Sequence, residues 1–464
     1  MKKVKLFTNT LIASTLVLLA LSPAIASAAV TVSITSPSNG SSNGSTFTVS
    51  GTASANRTIS ISVDGDEEAT TASDGSGNWS ANLSGLSAGD HDIEAIVTGD
   101  DIAFIPQLLP AGVRLLNLSD FTDRTIAGAQ LAGGIAITSD HSRVFRTDLF
   151  LGNNGLYSMD TVGETEDSEV LLGAGFIFLS PDENTIYVIQ SGDILVVDAD
   201  TLTQTDTISL SGGALPASAA INSSGTRLYV GADDNNIHIV DLASNTDIGT
   251  FSIGVGNNVS NMEMDATGTR LYVGVTTSSN LFNVYNTSSD SVSLVSSTDM
   301  GVVQPYTIEV LSDENTAYVL NAVAAEIAVV DIASETVTDN ITTGTTTTVV
   351  AIDSTSDDSR VYFIELGSLF GGCADGAVHY IDTSDNSMNT LESNAVCGIV
   401  AQDFISPEIA TDSITISVST TDGNSEDELA DTGINQNILQ RLAMAITIAG
   451  AIGLAWLTRR NRTA

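Results

Sequence analysis

The chain has 464 residues and a formal charge of −41, from 56 acidic and 15 basic side chains. Its three lysines (Lys2, Lys3, Lys5) open the chain and four of its arginines (Arg441, Arg459, Arg460, Arg462) close it, so residues 29–440 carry every acid against eight arginines, a charge of −48. A body this acidic repels nucleic acid and anionic lipid head groups, which argues against both as partners. A hydrophobic content of 42% with 15% charged residues argues against disorder, and the length suits two or three domains.

Residues 1–28 read as a secretory signal peptide. Lys2, Lys3 and Lys5 form its basic region, Leu11–Leu21 its apolar region, and Ala26-Ser27-Ala28 a small-x-small site that places cleavage between Ala28 and Ala29. From residue 29 to 99, apolar and small polar residues alternate at Val30, Val32, Ile34, then Phe47, Val49, then Ile59, Ile61, Val63, and again at Ile93, Ala95, Val97. Period-two alternation between Gly/Asn/Ser/Asp turns predicts short strands with one buried face, the spacing of a small β-sandwich. Within it stand Asp74-Gly75-Ser76-Gly77-Asn78-Trp79-Ser80 and Leu86-Ser87-Ala88-Gly89-Asp90-His91. This pair of motifs resembles the bacterial Ig-like repeats of surface adhesins, and the resemblance implies that Trp79 is a core aromatic. Asp64-Gly65-Asp66-Glu67-Glu68 offers the oxygen ligands that a divalent cation such as calcium takes. The remaining ligands of a calcium loop are missing, so it reads as a solvated hairpin turn and no cofactor is assigned.

From residue 100 to 407 one phrase recurs: an apolar residue, a polar turn, an apolar-aromatic-apolar strand, then a second apolar strand ending in Asp. Examples are Ile186-Tyr187-Val188 with Ile194–Asp198, and Leu228-Tyr229-Val230 with Ile237–Asp241. The marker aromatics Phe145, Tyr187, Tyr229, Tyr272, Tyr318 and Tyr362 lie 42, 42, 43, 46 and 44 residues apart. That is the period of a four-stranded propeller blade and longer than most solenoid coils. A seventh copy assembles from both ends: Ile102-Ala103-Phe104 and Val113–Asn117 supply its second and third strands, Gly398–Ala401 and Phe404–Pro407 its opening strand. The expected fold is therefore all-β: an Ig-like β-sandwich followed by a seven-bladed propeller whose ring is closed by N- and C-terminal strands. The repeat phrase resembles the YVTN-type propellers of bacterial and archaeal surface proteins, a family that also includes lactonase-like enzymes. The Asp after the third strand (Asp160, Asp198, Asp241, Asp331, Asp382, with Asn286 in one copy) reads as a short acceptor capping the strand-to-turn corner.

Catalytic and metal motifs are absent: there is no C-x-x-C-H, H-E-x-x-H, G-x-S-x-G or Walker loop. His238 and His379 each precede a repeat Asp by three residues, which favours packed histidines over metal ligands. Cys373 and Cys397, an even pair in a secreted chain, are expected to form a disulfide that ties an insertion in the sixth copy to the ring closure, for about 3 kcal/mol.

Residues 408–428 contain an alternating strand of uncertain partner, Ile414–Val418, and an acidic spacer. Residues 429–464 begin with Leu429-Ala430-Asp431-Thr432-Gly433, followed by a hydrophobic stretch at 442–457 and Arg459-Arg460-Asn461-Arg462. Pentapeptide, apolar stretch and basic tail in this order resemble a sortase cell-wall sorting signal, with Ala430 where most members carry proline. The resemblance implies cleavage between Thr432 and Gly433 by a sortase-like transpeptidase, attachment to the envelope, and transient or lasting membrane insertion of 442–457. The function expected from the whole is a non-enzymatic, envelope-anchored surface protein that binds a surface protein or glycan. A surface-displayed propeller enzyme (a lactonase or lyase, with or without a metal) and a self-assembling surface-layer component are the alternatives. Folded acidic surface without lysine is also the composition expected where salt is high.

Overall fold

The computed structural model describes residues 30–108, 111–127, 132–148, 155–161, 165–171, 175–190, 192–321, 324–343, 349–365, 376–392 and 404–419. Outside these lie Ala28 and Ala29, Cys373 and Cys397, Gly398–Ala401, the acidic spacer from 420, Leu429, Ala430, Asp431, Thr432 and Gly433, and the apolar stretch 442–457. Among the described residues every regular element is a strand, apart from one 3-10 turn at Ser211–Gly213.

The N-terminal sandwich has a three-stranded sheet of Val32–Ser36, Thr46–Ala53 and Asn78–Ser84. The second sheet runs in the order Ser42–Asn43, Ile405–Val418, Gly89–Leu108, Thr58–Val63, Asp66–Ala72. Alternation decides the faces: in Asn78–Ser84 the buried residues are Trp79, Ala81 and Leu83, and they meet Val49, Ile59, Ile61 and Ile93 in one core. The motif before Trp79 is a turn built on Asp74. Its carboxylate accepts the backbone N–H groups of Ser76 (2.8 Å) and Asn78 (2.9 Å). Those bonds hold the carboxyl below its usual range. Gly77 takes φ +83° there, with its Cα so close to Ala53 that a Cβ would sit 2.4 Å from the Ala53 carbonyl oxygen.

The strand of uncertain partner pairs inside this sandwich. Ile405–Val418 runs antiparallel to Gly89–Leu108 from Ile405↔Ala103 to Val418↔Gly89, with one register shift between Pro407 and Ile409. Ile414, Ile416 and Val418 enter the Ig core. Asp412 accepts the Ile34 N–H at 2.6 Å, and Ser417 N–H donates to Ser41 at 2.9 Å. The last described strand thus completes the first domain.

The same two strands continue into the ring. Ile405, Ser406 and Pro407 pair with Ala103, Ile102 and Asp101, and Gly89–Leu108 pairs on to Ala111–Asn117, which pairs with Asp123–Ala127. These four segments form blade 1, closed from both ends of the chain as the sequence pattern predicts. Blades 2 to 7 are the six four-stranded sheets within 132–171, 176–208, 216–252, 257–299, 305–342 and 349–392. The middle strands of each blade are covered on both faces by neighbouring blades, which explains their unbroken apolar runs (Arg227–Ala232 is buried at every position after the arginine). Fourth strands alternate or face solvent, as in Thr246–Ser252. Blade contact is close enough that a Cβ on Gly231 would lie 2.6 Å from the Val259 side chain of the next blade.

The corner acids act as expected. Asp198 accepts the Thr201 N–H (2.8 Å), Asp331 the Ser334 N–H (2.8 Å) and Asp382 the Ser384 N–H (3.0 Å), while Asn286 does the same for Ser288 (3.1 Å). A side-chain oxygen is all the corner requires, so asparagine replaces aspartate in one blade.

The two ends of the ring differ. First strands start at one end and leave at the other, where the turns to the second strands lie. Ile409 N–H donates to Ser139 in such a turn of blade 2 (3.1 Å), and Ser356 N–H of the blade 7 turn donates to Asp101. The Ig sandwich therefore extends from the turn end of the ring. The opposite end is where fourth strands pass to the next first strand, and Val418 lies at the far end of the sandwich from the propeller.

Candidate functional site: the propeller channel

The first strands of all seven blades face a common axis. A cavity of about 350 Å³ there is lined by first strands of blades 3 to 7 and by Ile405 of blade 1, and an adjoining one of about 230 Å³ is lined by blades 1 to 4. Each first strand is a sheet edge, so its outward N–H groups need acceptors.

Three carboxylates supply them. In blades 5, 6 and 7, Glu263, Glu309 and Asp353 stand directly across the ladder from the marker aromatics Tyr272, Tyr318 and Tyr362. Glu263 accepts the Val310 N–H of the next blade (3.0 Å), Glu309 the Ser354 N–H (3.1 Å) and Asp353 the Ile405 N–H of the closing strand (2.6 Å). Asn261, two residues before Glu263, accepts the Ile308 N–H in the same way (3.1 Å). Glu309 and Asp353 are both 7% exposed. In blades 2, 3 and 4 the corresponding residues are Ala136, Phe178 and Ala220. One arc of the channel is thus acidic and the other apolar.

These acids carry no local motif, and among 56 carboxylates they do not stand out. The signal is positional: each precedes its marker aromatic by nine residues, as do Ala136, Phe178 and Ala220. We expect Glu309→Ala to destabilise the ring by about 1–3 kcal/mol, because the Ser354 N–H loses its acceptor in a buried site. Glu309→Gln keeps an acceptor oxygen and removes one of three like charges, so its melting temperature should equal or exceed the wild type. Equal losses in the two variants would show that the bond is irrelevant.

The histidines are packed, as their strand positions suggest. His238 is held by Asp247 (2.7 Å) and Asp234 (3.3 Å), and the Ser211 N–H from the loop ahead of blade 4 reaches the same Asp247 oxygen at 2.8 Å. His379 stacks on Phe363 with ring centres 4.8 Å apart and bonds to Thr390 and Glu365. In the Ig domain, His91 lies between two acceptors, the Ser87 carbonyl (2.9 Å) and the Asp64 carboxylate (2.6 Å). Both ring nitrogens must donate, and the two partners raise its pKa. Asp64 also accepts the Asp92 N–H, so the Asp64–Glu68 segment is a hairpin turn whose first carboxylate is tied to the protein, with Asp64 and Gly65 at φ +55° and +94°. Among the described residues, no group of three or more His, Cys, Asp or Glu is arranged to hold a metal ion. Nor is any helix among them long and apolar enough to cross a membrane.

Comparison with known proteins separates the two parts of the chain. Residues 31–95 match the bacterial Ig domain family. No curated protein matches the chain in sequence. The chain is similar in structure to the β-propeller domain of Cps50 (Swd1) from Myceliophteria thermophila, at 11% identity over 58% of this chain and 96% of that one, with a TM-score of 0.50. It is also similar to a functionally unknown protein from Desulfotomaculum acetoxidans DSM 771, at 14% identity over 67% of this chain and 98% of that one, with a TM-score of 0.52. At these identities the likeness is one of fold: a bacterial Ig domain followed by a β-propeller.

Proposed function

We propose that this is a secreted surface protein, held at the envelope by its C-terminal end, that binds a ligand with the propeller as its head. The observation that carries this reading is the path of Ile405–Val418. It leaves the ring, crosses the Ig sandwich and ends beside Gly89, at the sandwich end remote from the propeller. A tether starting at residue 420 would place the Ig domain as a stalk next to the envelope, although it precedes the propeller in sequence, and would turn the ring end opposite the sandwich outward. Binding rather than catalysis is favoured because the channel carboxylates and the ring histidines already serve as inter-strand acceptors and packed side chains.

The supporting addresses are the signal peptide cleaved before Ala29 and the sorting motif Leu429–Gly433, read through the resemblances to sortase substrates and YVTN-type surface propellers. Cys373 and Cys397 would add a disulfide beside the ring closure. The test is mass spectrometry of envelope digests from producing cells. A C-terminal peptide ending at Thr432 and joined to an envelope amine is expected, and Thr432→Ala should release the chain or leave residues 433–464 attached. Recovery of wild-type chain from the cytoplasm with an intact N-terminus would overturn the reading.

A further inference from the structure

Glu263, Glu309 and Asp353 are each the penultimate residue of a first strand, beside the turns at the Ig end of the ring. All three line the cavity of about 350 Å³, and no lysine, arginine or histidine lines it. Its apolar wall comes from Phe178, Ala220 and Ile221. Alanine at 220, in the register that carries acids on the other arc, leaves the space. Small-molecule sites usually measure about 300–1,000 Å³ and are largely apolar with a few polar groups gathered in one place, which is the make-up found here.

Thr307 is an independent sign of a ligand. It stands two residues before Glu309, as Asn261 stands two before Glu263. Asn261 reaches the Ile308 N–H of the next blade, whereas the shorter Thr307 side chain leaves its hydroxyl without a hydrogen-bond partner. Thr307 lines the cavity and is 6% exposed. A buried hydroxyl left unpaired is costly, and a polar atom of a ligand would remove that cost. Because no group of three or more acidic, His or Cys side chains among the described residues is arranged to hold a metal ion, the cation suited to this wall is a molecule rather than a bare ion.

The way in lies at the Ig end. A second cavity of about 390 Å³ shares Glu263, Met264 and Ile405 with the first and extends to Ala266 and Ser312, both exposed, in the turns of blades 5 and 6. The sandwich bonds to the ring turns at Ser139 and Ser356, in blades 2 and 7, beside this opening. Asp265 and Asp358 line the outer part of the path, and acids between low-dielectric walls draw cations inward.

We propose that the Ig-side half of the channel binds a small organic cation, a protonated amine on an apolar body. Its ammonium group lies among Glu263, Glu309 and Asp353 and meets the Thr307 hydroxyl, while its body rests on Phe178 and Ile221. The proposal deepens the reading of the propeller as a binding head and rests on it for taking the ring as the ligand-binding part, whichever end of the ring faces outward.

The probe is phenylethylammonium chloride, titrated calorimetrically into the purified full chain in mild detergent. Phenylethanol, which lacks the charge, and methylammonium, which lacks the apolar body, are the controls. Saturable binding is expected, about tenfold or more tighter than either control. Glu309→Gln should weaken it about tenfold and Thr307→Val about threefold. Thr307→Val is nearly isosteric and removes an unpartnered polar atom, so its melting temperature should not fall below that of the wild type, and its loss of binding is then not a failed fold. The pair Asp66→Asn/Glu68→Gln removes two exposed acids from the Ig hairpin and should change affinity by less than about twofold. Equal losses in hairpin and channel variants would show diffuse attraction to an acidic body and overturn the proposal. So would binding no tighter than that of phenylethanol, or binding unmoved by both channel substitutions. A chain that binds the amine but is absent from the envelope would refute the localisation alone.

Discussion

A chain ending at residue 408 should lose the calorimetric transition of its Ig sandwich, and Ile416→Ala in the full chain should lower stability by about 2–5 kcal/mol. Ile416 is 1% exposed and sits with Ile414 and Val418 against Ile93 and Trp79, so truncation leaves a cavity in a small core. Removing 409–418 goes further. It also exposes the edge of Gly89–Leu108 from Gly89 to Thr98 and leaves the Ile34 N–H without Asp412. Two controls separate the domains: Ile416→Ala leaves pairing at 405–407 in place, whereas Ile405→Asp, beside the closing contact with Asp353, should act on the ring first. A truncated chain that kept an unchanged sandwich transition would mean that the strand adds nothing to that core.

Acid should weaken the seam between blades 1 and 2 through His141. Its ring is 8% exposed, meets Phe104 edge-on at 5.0 Å and has a buried Nε2 without a partner. Burial pushes its pKa down to about 4, with Asp140 opposing. The unfolded chain takes up the proton near pH 6.5 and the folded one only near pH 4. The stabilisation is therefore complete above pH 6.5, falls away as pH drops toward 4, and is constant below. Two and a half pH units correspond to about 3 kcal/mol. His141→Asn tolerates the left-handed backbone at φ +55° and does not titrate. The stability gap between wild type and this variant, followed by denaturant unfolding from pH 7 to 4, should shift by that amount against the wild type. A gap independent of pH would remove His141 from the account.

The ring was legible in the sequence because its signal is local and repeated. Each blade needs one aromatic in its second strand, buried between neighbouring blades, and a run of six such residues at 42–46-residue spacing declares the period. Closure was legible for a related reason, since Phe404–Pro407 repeats the opening-strand pattern and Ile102–Phe104 the second. The Ig turn was legible because Asp74, Gly77 and Trp79 have fixed local geometry. Ile414-Thr-Ile416-Ser-Val418 announced a one-sided strand, but its partner lies more than 300 residues away, and an antiparallel pairing leaves no mark at such separation. The channel acids were illegible for a different reason. Glu263, Glu309 and Asp353 are defined by register against the aromatics, and only the ladder shows which of many acids share that position.

Residues 30–98 leave the ribosome well ahead of the ring, yet Ile414, Ile416 and Val418 follow more than 300 residues later. At about 5–20 residues per second, the sandwich waits roughly 15–60 s for its last strand. Until then its second sheet has an unpaired edge and an unfilled core. The ring is open over the same interval, because Ile405–Pro407 belong to that strand. The earliest domain to be synthesised is finished no sooner than the latest blade, and a ribosome stalled anywhere before residue 404 releases a chain in which neither domain is whole. Quality control acting on exposed strand edges would therefore read the completion of both domains from the one segment 404–418.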